Sequence, residues 1–481
     1  MRVFDAVKAL AFIGDLSMGQ PTDHSLRTAW LASRLAAAAD FSPPVTASAR
    51  EIALVRWSGC TANAPGFADL LGDDVGGRHA MLTMQPRWKQ AVDAGGGTER
   101  AVSPLARIHC EVSSEVGRIL GLGVETECGL RHIFEAHDGS GMPDRLAGNE
   151  IPQTVFVVGL AGDLEILSRN YGLERALALI RSKEGAQYPL DLVELLLEGS
   201  ADWLRDLSDE NETGIETALL TLGMEQPAAP EIIADVADLK MPWMAGFSRR
   251  VARSAARCCM QLGMDKASQE IVYRAGLIHG IGRAAVPNTI WAATTPLPAS
   301  AWEKLRLVPY WTSRAGSQIA ALAKEAEIAS YAYERLDGSG YFRSAAGAAT
   351  PREGQVLATA IVWEALRSRR PWREALTVAE AVALLRQEAD RARLDREIVE
   401  QMIAPASNSE MPQRKAVEAL LSPRETDVLR HISLGASNKE AARALGLSPS
   451  TVATHIESVF RKLGCSTRAA ATLKASTLGL L

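Results

Sequence analysis

The chain has 481 residues, more than one hydrophobic core normally holds, since single cores stop growing beyond ~250–300 residues, so several domains are expected. Its 47% hydrophobic and 23% charged residues exclude a disordered chain, and no apolar run approaches the ~18 residues of a membrane span, 156–161 being the longest candidate. The net charge of −5 is unevenly held: eight basic and four acidic residues from Leu421 onward leave +4 there and −9 on the rest, the asymmetry of a nucleic-acid-binding module carried by an acidic body.

In chain order, Asp5, Lys8 and Asp15 interrupt any signal-peptide core in 1–15, so a cytoplasmic, nucleoid-associated location and no membrane partner are expected. Apolar residues at helical spacing, among Ala, Leu, Arg and Glu, predict helices over 26–39, 112–120, 173–180 and 378–394. Strand signals are few. Turn-rich or proline-rich breaks fall at 94–104, 206–230 and 405–412, the last two reading as linkers. Six cysteines without CxxC spacing read as buried thiols, with the adjacent Cys258 and Cys259 as an alternative redox pair.

The chain also repeats itself. Asp138-Gly139-Ser140-Gly141 recurs as Asp337-Gly338-Ser339-Gly340, and the apolar stretch Ala53 to Cys60 recurs as Gly276 to Arg283. Upstream, helix starts at Ser25 to Arg27 and Ser248 to Arg250 keep the same order. The boundaries read from this are 1–204 for a first helical domain, 205–240 for a connecting segment, 241–404 for a second domain, 405–420 for a linker and 421–481 for a terminal domain.

At these residues the body resembles the HD-GYP branch of the HD-domain superfamily, helical metal enzymes that hydrolyse cyclic di-GMP. The DGSG loops and Arg370-Pro371-Trp372-Arg373 are the most specific pieces. The resemblance implies metal ligands at fixed places, and most are replaced. In the first copy His24 fills the opening His and His109 the single His. Its His-Asp pair falls on Arg56 and Trp57, the motif Lys on Cys60, the double His on Ile133 and Phe134, and the final Asp on Gly162. In the second copy only His279 remains, against Phe247, Gly280, Val308, Ala332, Tyr333 and Ile361. Ion clusters need several imidazole and carboxylate ligands. The expectation is therefore no catalytic residue, no cofactor, no enzymatic activity, and vestigial positions at His24, His109 and His279. Arg56, Trp57 and His109 become the candidate ligand-binding residues, because an anion bound without metal needs arginine or stacking aromatics.

The terminal domain has explicit helix boundaries. Ser422-Pro423-Arg424-Glu425 and Ser437-Asn438-Lys439-Glu440 each read as a capping box, Ser448-Pro449 caps a third helix, and Gly435 and Gly446 end the first two. The run from Leu421 to Leu473 resembles the LuxR-type helix-turn-helix family, in which the third helix enters the major groove and the fourth commonly pairs two copies. The resemblance implies DNA contacts at Lys439, Thr451, Ala453, Thr454, His455, Glu457, Ser458, Arg461 and Lys462. Val452, Ile456, Val459 and Leu463 occupy the opposite, core-facing stripe.

The expected architecture is all-α, with two tandem HD-like domains followed by a four-helix LuxR-type domain. The expected function is transcription regulation by a body that senses a small-molecule effector or a protein partner and controls a homodimer on double-stranded DNA. The alternative is a metal-dependent HD-family phosphohydrolase fused to a DNA-binding tail.

Overall fold

Helix-favouring composition and apolar spacing produce an all-α chain; the computed structural model describes residues 1–405 and 420–481, and no sheet occurs among them, only isolated bridges. These residues divide into two units, Met1–Ala229 and Pro230–Leu481. Most of the expected 405–420 linker lies outside the described residues.

In the first unit six helices carry the repeat: α1 (Val3–Ser17), α2 (His24–Ala38), α3 (Pro43–Val55), α4 (Ser103–Ile119), α5 (Val124–Arg131) and α6 (Gln153–Tyr171). Helix α2 lies against α3 and α6, α3 against α5 and α6, and α4 against α5. Helix α1 is buried on every face, which carries Lys8 and Asp15 into the interior. Asp15 is held there by the Ser25 hydroxyl at 2.6 Å and the Ser25 N–H at 3.1 Å, and Lys8 pairs with Glu216.

The second unit repeats the order with α7 (Glu231–Asp238), α8 (Phe247–Gln261), α9 (Lys266–Ile278), α10 (Val308–Ser317), α11 (Ala323–Ala329) and α12 (Arg352–Leu366). Here α8 lies against α9 and α12, α9 against α11 and α12, and α10 against α11. The polar groups repeat as well. Asp238 accepts from the Ser248 hydroxyl and N–H, both at 2.7 Å, as Asp15 does from Ser25. Gly59 N–H donates to Ser113 Oγ at 3.0 Å, and Gly282 N–H to Thr312 Oγ1 at 2.9 Å. Two copies of one helical unit, aligned as the sequence motifs aligned them, explain these pairs.

The DGSG loops serve this packing. Glu135 accepts from the N–H groups of Asp144 (2.7 Å) and Leu146 (3.1 Å), and Glu334 from those of Arg343 (2.6 Å) and Ala345 (3.1 Å). The fourth loop residue must be glycine for reasons of space: a Cβ at Gly141 would lie 2.4 Å from Glu135 Cα, and one at Gly340 2.4 Å from Glu334 Cα.

The segment expected to connect the domains, 205–240, is largely helical, holding the end of Leu190–Asp209, then Glu212–Leu219, then α7. Its acidic run reads as a loop because nothing local shows that Glu216 answers a buried Lys8, 208 residues away.

The terminal helices α13 (Pro423–Ser433), α14 (Asn438–Leu445), α15 (Pro449–Leu463) and α16 (Arg468–Thr477) enclose a core of their own, which includes Val428, Leu429, Ala441, Val452, Val459 and Ala471. The caps form as the sequence requires. Glu425 N–H donates to Ser422 Oγ at 3.3 Å while Ser422 N–H donates to Glu425 Oε2 at 2.7 Å, and Ser437 with Glu440 repeats the exchange at 3.2 and 2.8 Å. Gly446, at φ +65°, makes the left-handed turn between α14 and α15 that an L side chain resists.

Candidate functional site

On α15 the stripe Val452, Ile456, Val459 and Leu463 is buried, so the opposite face is presented outward. Thr451, Thr454, Glu457 and Arg461 are exposed, Ala453 and His455 half-exposed, and Lys439 is exposed in the first turn of α14. Two of the expected contacts are engaged within the domain: Ser458 Oγ donates to Glu425 Oε1 and Lys462 Nζ to Glu425 Oε2, each at 2.7 Å. These bonds, with that from the Ser422 N–H, outweigh the cost of burying Glu425 and hold its carboxyl down to about 2. At the C-terminal end of α15, Lys474 Nζ donates to the carbonyls of Leu463 (2.7 Å) and Gly464 (3.1 Å), capping the helix with a cation where its dipole is negative.

In the first unit the motif positions converge around Arg56. Its Nη2–H donates to His24 Nε2 at 2.7 Å, and Nη1–H to the Val158 carbonyl at 3.1 Å. His24 turns its Nδ1 to Glu165 Oε2 at 2.5 Å, and Arg27 and Arg169 also reach that carboxylate. Gly162, the place of the final aspartate, is where the guanidinium lies: a Cβ there would be 2.5 Å from Arg56 Nη1. A cation and a glycine thus stand where the resemblance puts an ion and its carboxylate. Burial lowers Arg56 to about 10, with Asp15, Asp163 and Glu165 opposing the fall.

His109 does not join this cluster. Its Nε2 bonds to the Arg56 carbonyl at 2.6 Å and its ring packs on Phe134, centroids 4.8 Å apart. Burial, aided by Arg78, depresses it to about 3, so it is neutral. Trp57 stacks on Phe134 and supports Arg56, whose guanidinium lies 4.6 Å from the ring centroid.

The second unit makes the same exchange with a different residue. Arg283, at the motif lysine, donates to His279 Nε2 at 2.6 Å and pairs with Asp238 at 3.3 Å. A Cβ on Gly280, the place of the motif aspartate, would be 2.9 Å from Arg283 Nη1. Burial and the Arg283 charge push His279 well below the usual histidine range. Burial also raises Asp238 to about 6. Arg370 lies over the Phe247 ring at 5.0 Å, beside Arg283, Arg373 and Arg250. Arg250 reaches Glu364 at 3.7 Å, while among the described residues the Arg370 side chain donates only to the Arg369 carbonyl, at 3.3 Å. Burial and those three neighbouring cations lower Arg370 to about 10. Tyr333 and Tyr341 stack in parallel nearby, centroids 5.3 Å apart.

Sequence reasoning assigned no site role to Arg283, Arg370, Asp15 or Asp238, although Arg370 stands in the Arg370–Arg373 motif and Arg283 closes a repeat. The internal repeat held the signal for the two aspartates, since each precedes its serine by ten residues.

Residues 231–398 match the HD domain family, and residues 419–475 the family of bacterial regulatory proteins, luxR family. The chain joins an HD domain to a LuxR-type DNA-binding domain. A 3'3'-cGAMP-specific phosphodiesterase 3 of Vibrio cholerae is 24% identical over 405 residues, covering 78% of this chain and 88% of that protein. A probable transcriptional regulatory protein NarL of Mycobacterium tuberculosis is 40% identical over 87 residues, 18% of this chain and 40% of that protein. A crystal structure of a cyclic GMP-AMP specific phosphodiesterase of V. cholerae shares the fold, with a TM-score of 0.59 at 22% identity, over 84% of this chain and 97% of that one. No helix among the described residues is long and apolar enough to cross a membrane.

The relative corrects one expectation. The inference that the chain is not an enzyme rested on missing motif ligands, yet a phosphodiesterase aligns with 78% of it. Motif positions are a poor guide to activity because catalytic groups need only meet in space, from any part of a chain. The ion cluster itself does not fit the two motif positions: guanidinium groups lie where the ions would, and among the described residues no group of three or more His, Cys, Asp or Glu could hold one. No hydrolytic step is therefore derived through a metal.

Proposed function

We propose that the chain is a transcription regulator whose HD body binds a cyclic dinucleotide in the second unit, and that this occupancy sets how well the LuxR-type domain binds a two-fold DNA site as a homodimer. The observation that carries the reading is Arg370, a guanidinium without a carboxylate partner among the described residues, grouped with Arg250, Arg283 and Arg373. Uncompensated guanidinium charge is the complement of a phosphodiester, and the stacked Tyr333 and Tyr341 offer a platform for a base. The V. cholerae relatives, named for cyclic GMP-AMP, supply the ligand class. The reading moves the ligand site from the expected Arg56, Trp57 and His109 to the other copy, because the Arg56 guanidinium is bonded to His24, Thr28 and the Val158 carbonyl and has Asp15, Asp163 and Glu165 around it to balance its charge.

Calorimetry with 3'3'-cyclic GMP-AMP, together with promoter-fragment anisotropy at fixed salt with and without that nucleotide, tests the reading. Chromatography of the same samples measures any linear dinucleotide formed. Arg370→Ala should weaken nucleotide binding at least tenfold, and Lys439→Ala and His455→Ala should each weaken DNA binding. DNA affinity that ignores saturating nucleotide would refute the coupling, and absence of nucleotide binding would refute the site.

A further inference from the structure

The first unit encloses a cavity of about 630 Å³, within the ~300–1,000 Å³ typical of small-molecule sites. Six aromatic side chains line it: Trp57, Phe67, Trp88, Phe134, Phe156 and Tyr188. Two of them stand where the resemblance places metal ligands, Trp57 at the aspartate of the His-Asp pair and Phe134 in the double His.

Its charges are committed to the protein. Lys183 pairs with Asp163 at 2.7 Å, and the Tyr188 hydroxyl donates to the same oxygen at 2.7 Å. Arg78 donates to Asn63 Oδ1 at 2.6 Å and to the Cys60 carbonyl at 3.0 Å. Glu135 is held by backbone N–H groups, and Arg56 by His24 and the Val158 carbonyl. A cyclic dinucleotide, with one negative charge on each of its two phosphodiesters, would lose water here without meeting an uncommitted cation. Three donors are unsatisfied. Among the described residues the indole N–H of Trp57, a residue 6% exposed, has no hydrogen-bond partner, nor do Arg56 Nε and Trp88 Nε1. Buried donors normally find an acceptor, and because all three belong to residues of the cavity wall, a ligand that brings one would complete it.

We infer that this cavity binds a neutral, planar aromatic molecule bearing a carbonyl oxygen, stacked among the rings and accepting from Trp57 Nε1. The site is separate from the cyclic-dinucleotide site proposed in the second unit and does not depend on it. Its ligand class is opposite in character, uncharged where the other is anionic.

The test is calorimetric titration of the full chain with three probes: flavone, anthraquinone, and naphthalene-1,5-disulfonate as a matched aromatic dianion. At least one neutral ketone should bind one per chain, and the dianion should bind at least tenfold more weakly. Trp57→Phe, which keeps a ring and removes the N–H, should weaken that ketone about tenfold. Ala106→Phe, which fills the cavity wall, should abolish binding, with circular dichroism verifying the fold of both variants. Arg370→Ala should leave the ketone unaffected while removing cyclic GMP-AMP binding, so the two sites fail separately. The inference is overturned if neither ketone binds, if the dianion binds as well as the ketone, or if folded Trp57→Phe and Ala106→Phe proteins bind as the parent does.

Discussion

Replacing Arg56 with methionine tests whether the guanidinium is an integral part of the first core. Methionine preserves much of the volume, so the effect isolates pairing rather than a cavity. The substitution strands His24 Nε2, the Val158 carbonyl and Thr28 Oγ1, which now accept from Arg56 at 2.7, 3.1 and 3.3 Å. At about 1 kcal/mol for each lost bond the cost is about 3 kcal/mol. Buried Asp15 and Glu165 also lose a neighbouring cation, which brings the total to the ~3–5 kcal/mol seen when one partner of a buried charge cluster is removed. With a urea slope of roughly 2 kcal/mol per molar, the midpoint should fall by about 2 M. Unfolding of the full chain followed by circular dichroism should show more than one transition, of which only one moves. Adding Asp15→Asn should restore part of the loss, because among the described residues Asp15 keeps only its Ser25 bonds once Arg56 is gone, while Glu165 still has Arg27 and Arg169. A shift below roughly 0.5 M would mean that the guanidinium is a passive occupant, and the explanation of why Gly162 stands opposite it would fail.

Gly59→Ala and Gly282→Ala should each destabilise by about 2–3 kcal/mol in thermal unfolding, since the new Cβ would lie 2.3 Å from the His109 carbonyl oxygen and 1.9 Å from that of Val308; a neutral result at either would contradict the close helix approach. Burial pushes the Cys258 and Cys259 thiols up to about 12, so peptide mapping after iodoacetamide treatment at pH 8 should find both unmodified while exposed Cys128 is labelled. The buried Asp238 carboxyl, raised to about 6, binds its proton more tightly folded than unfolded; its contribution is complete below pH 4 and lost as pH rises through 6. Asp238→Asn should therefore gain roughly 3 kcal/mol relative to the parent between pH 4 and 7 in urea titrations, and a constant difference would count against that shift. Glu425→Gln should release Lys462 and steepen the dependence of DNA affinity on salt, whereas Lys439→Ala should flatten it by about 0.9 in the logarithmic slope.

The sequence determined whatever depends on neighbours along the chain. Capping boxes at Ser422 and Ser437, the turn at Gly446 and the buried stripe on α15 were legible because each involves residues within a turn or two of one another. The tandem repeat was legible for a related reason, that duplicated motifs keep their order. Only the tertiary structure decided what fills the inherited sites. Arg56 meets Gly162 across more than a hundred residues, Lys462 is drawn back to Glu425, and Arg370 gathers with Arg250 and Arg283 from separate segments of the chain. Such meetings are fixed by how the helices pack, and charge balance inside a core is a property of the whole neighbourhood, which no linear spacing encodes.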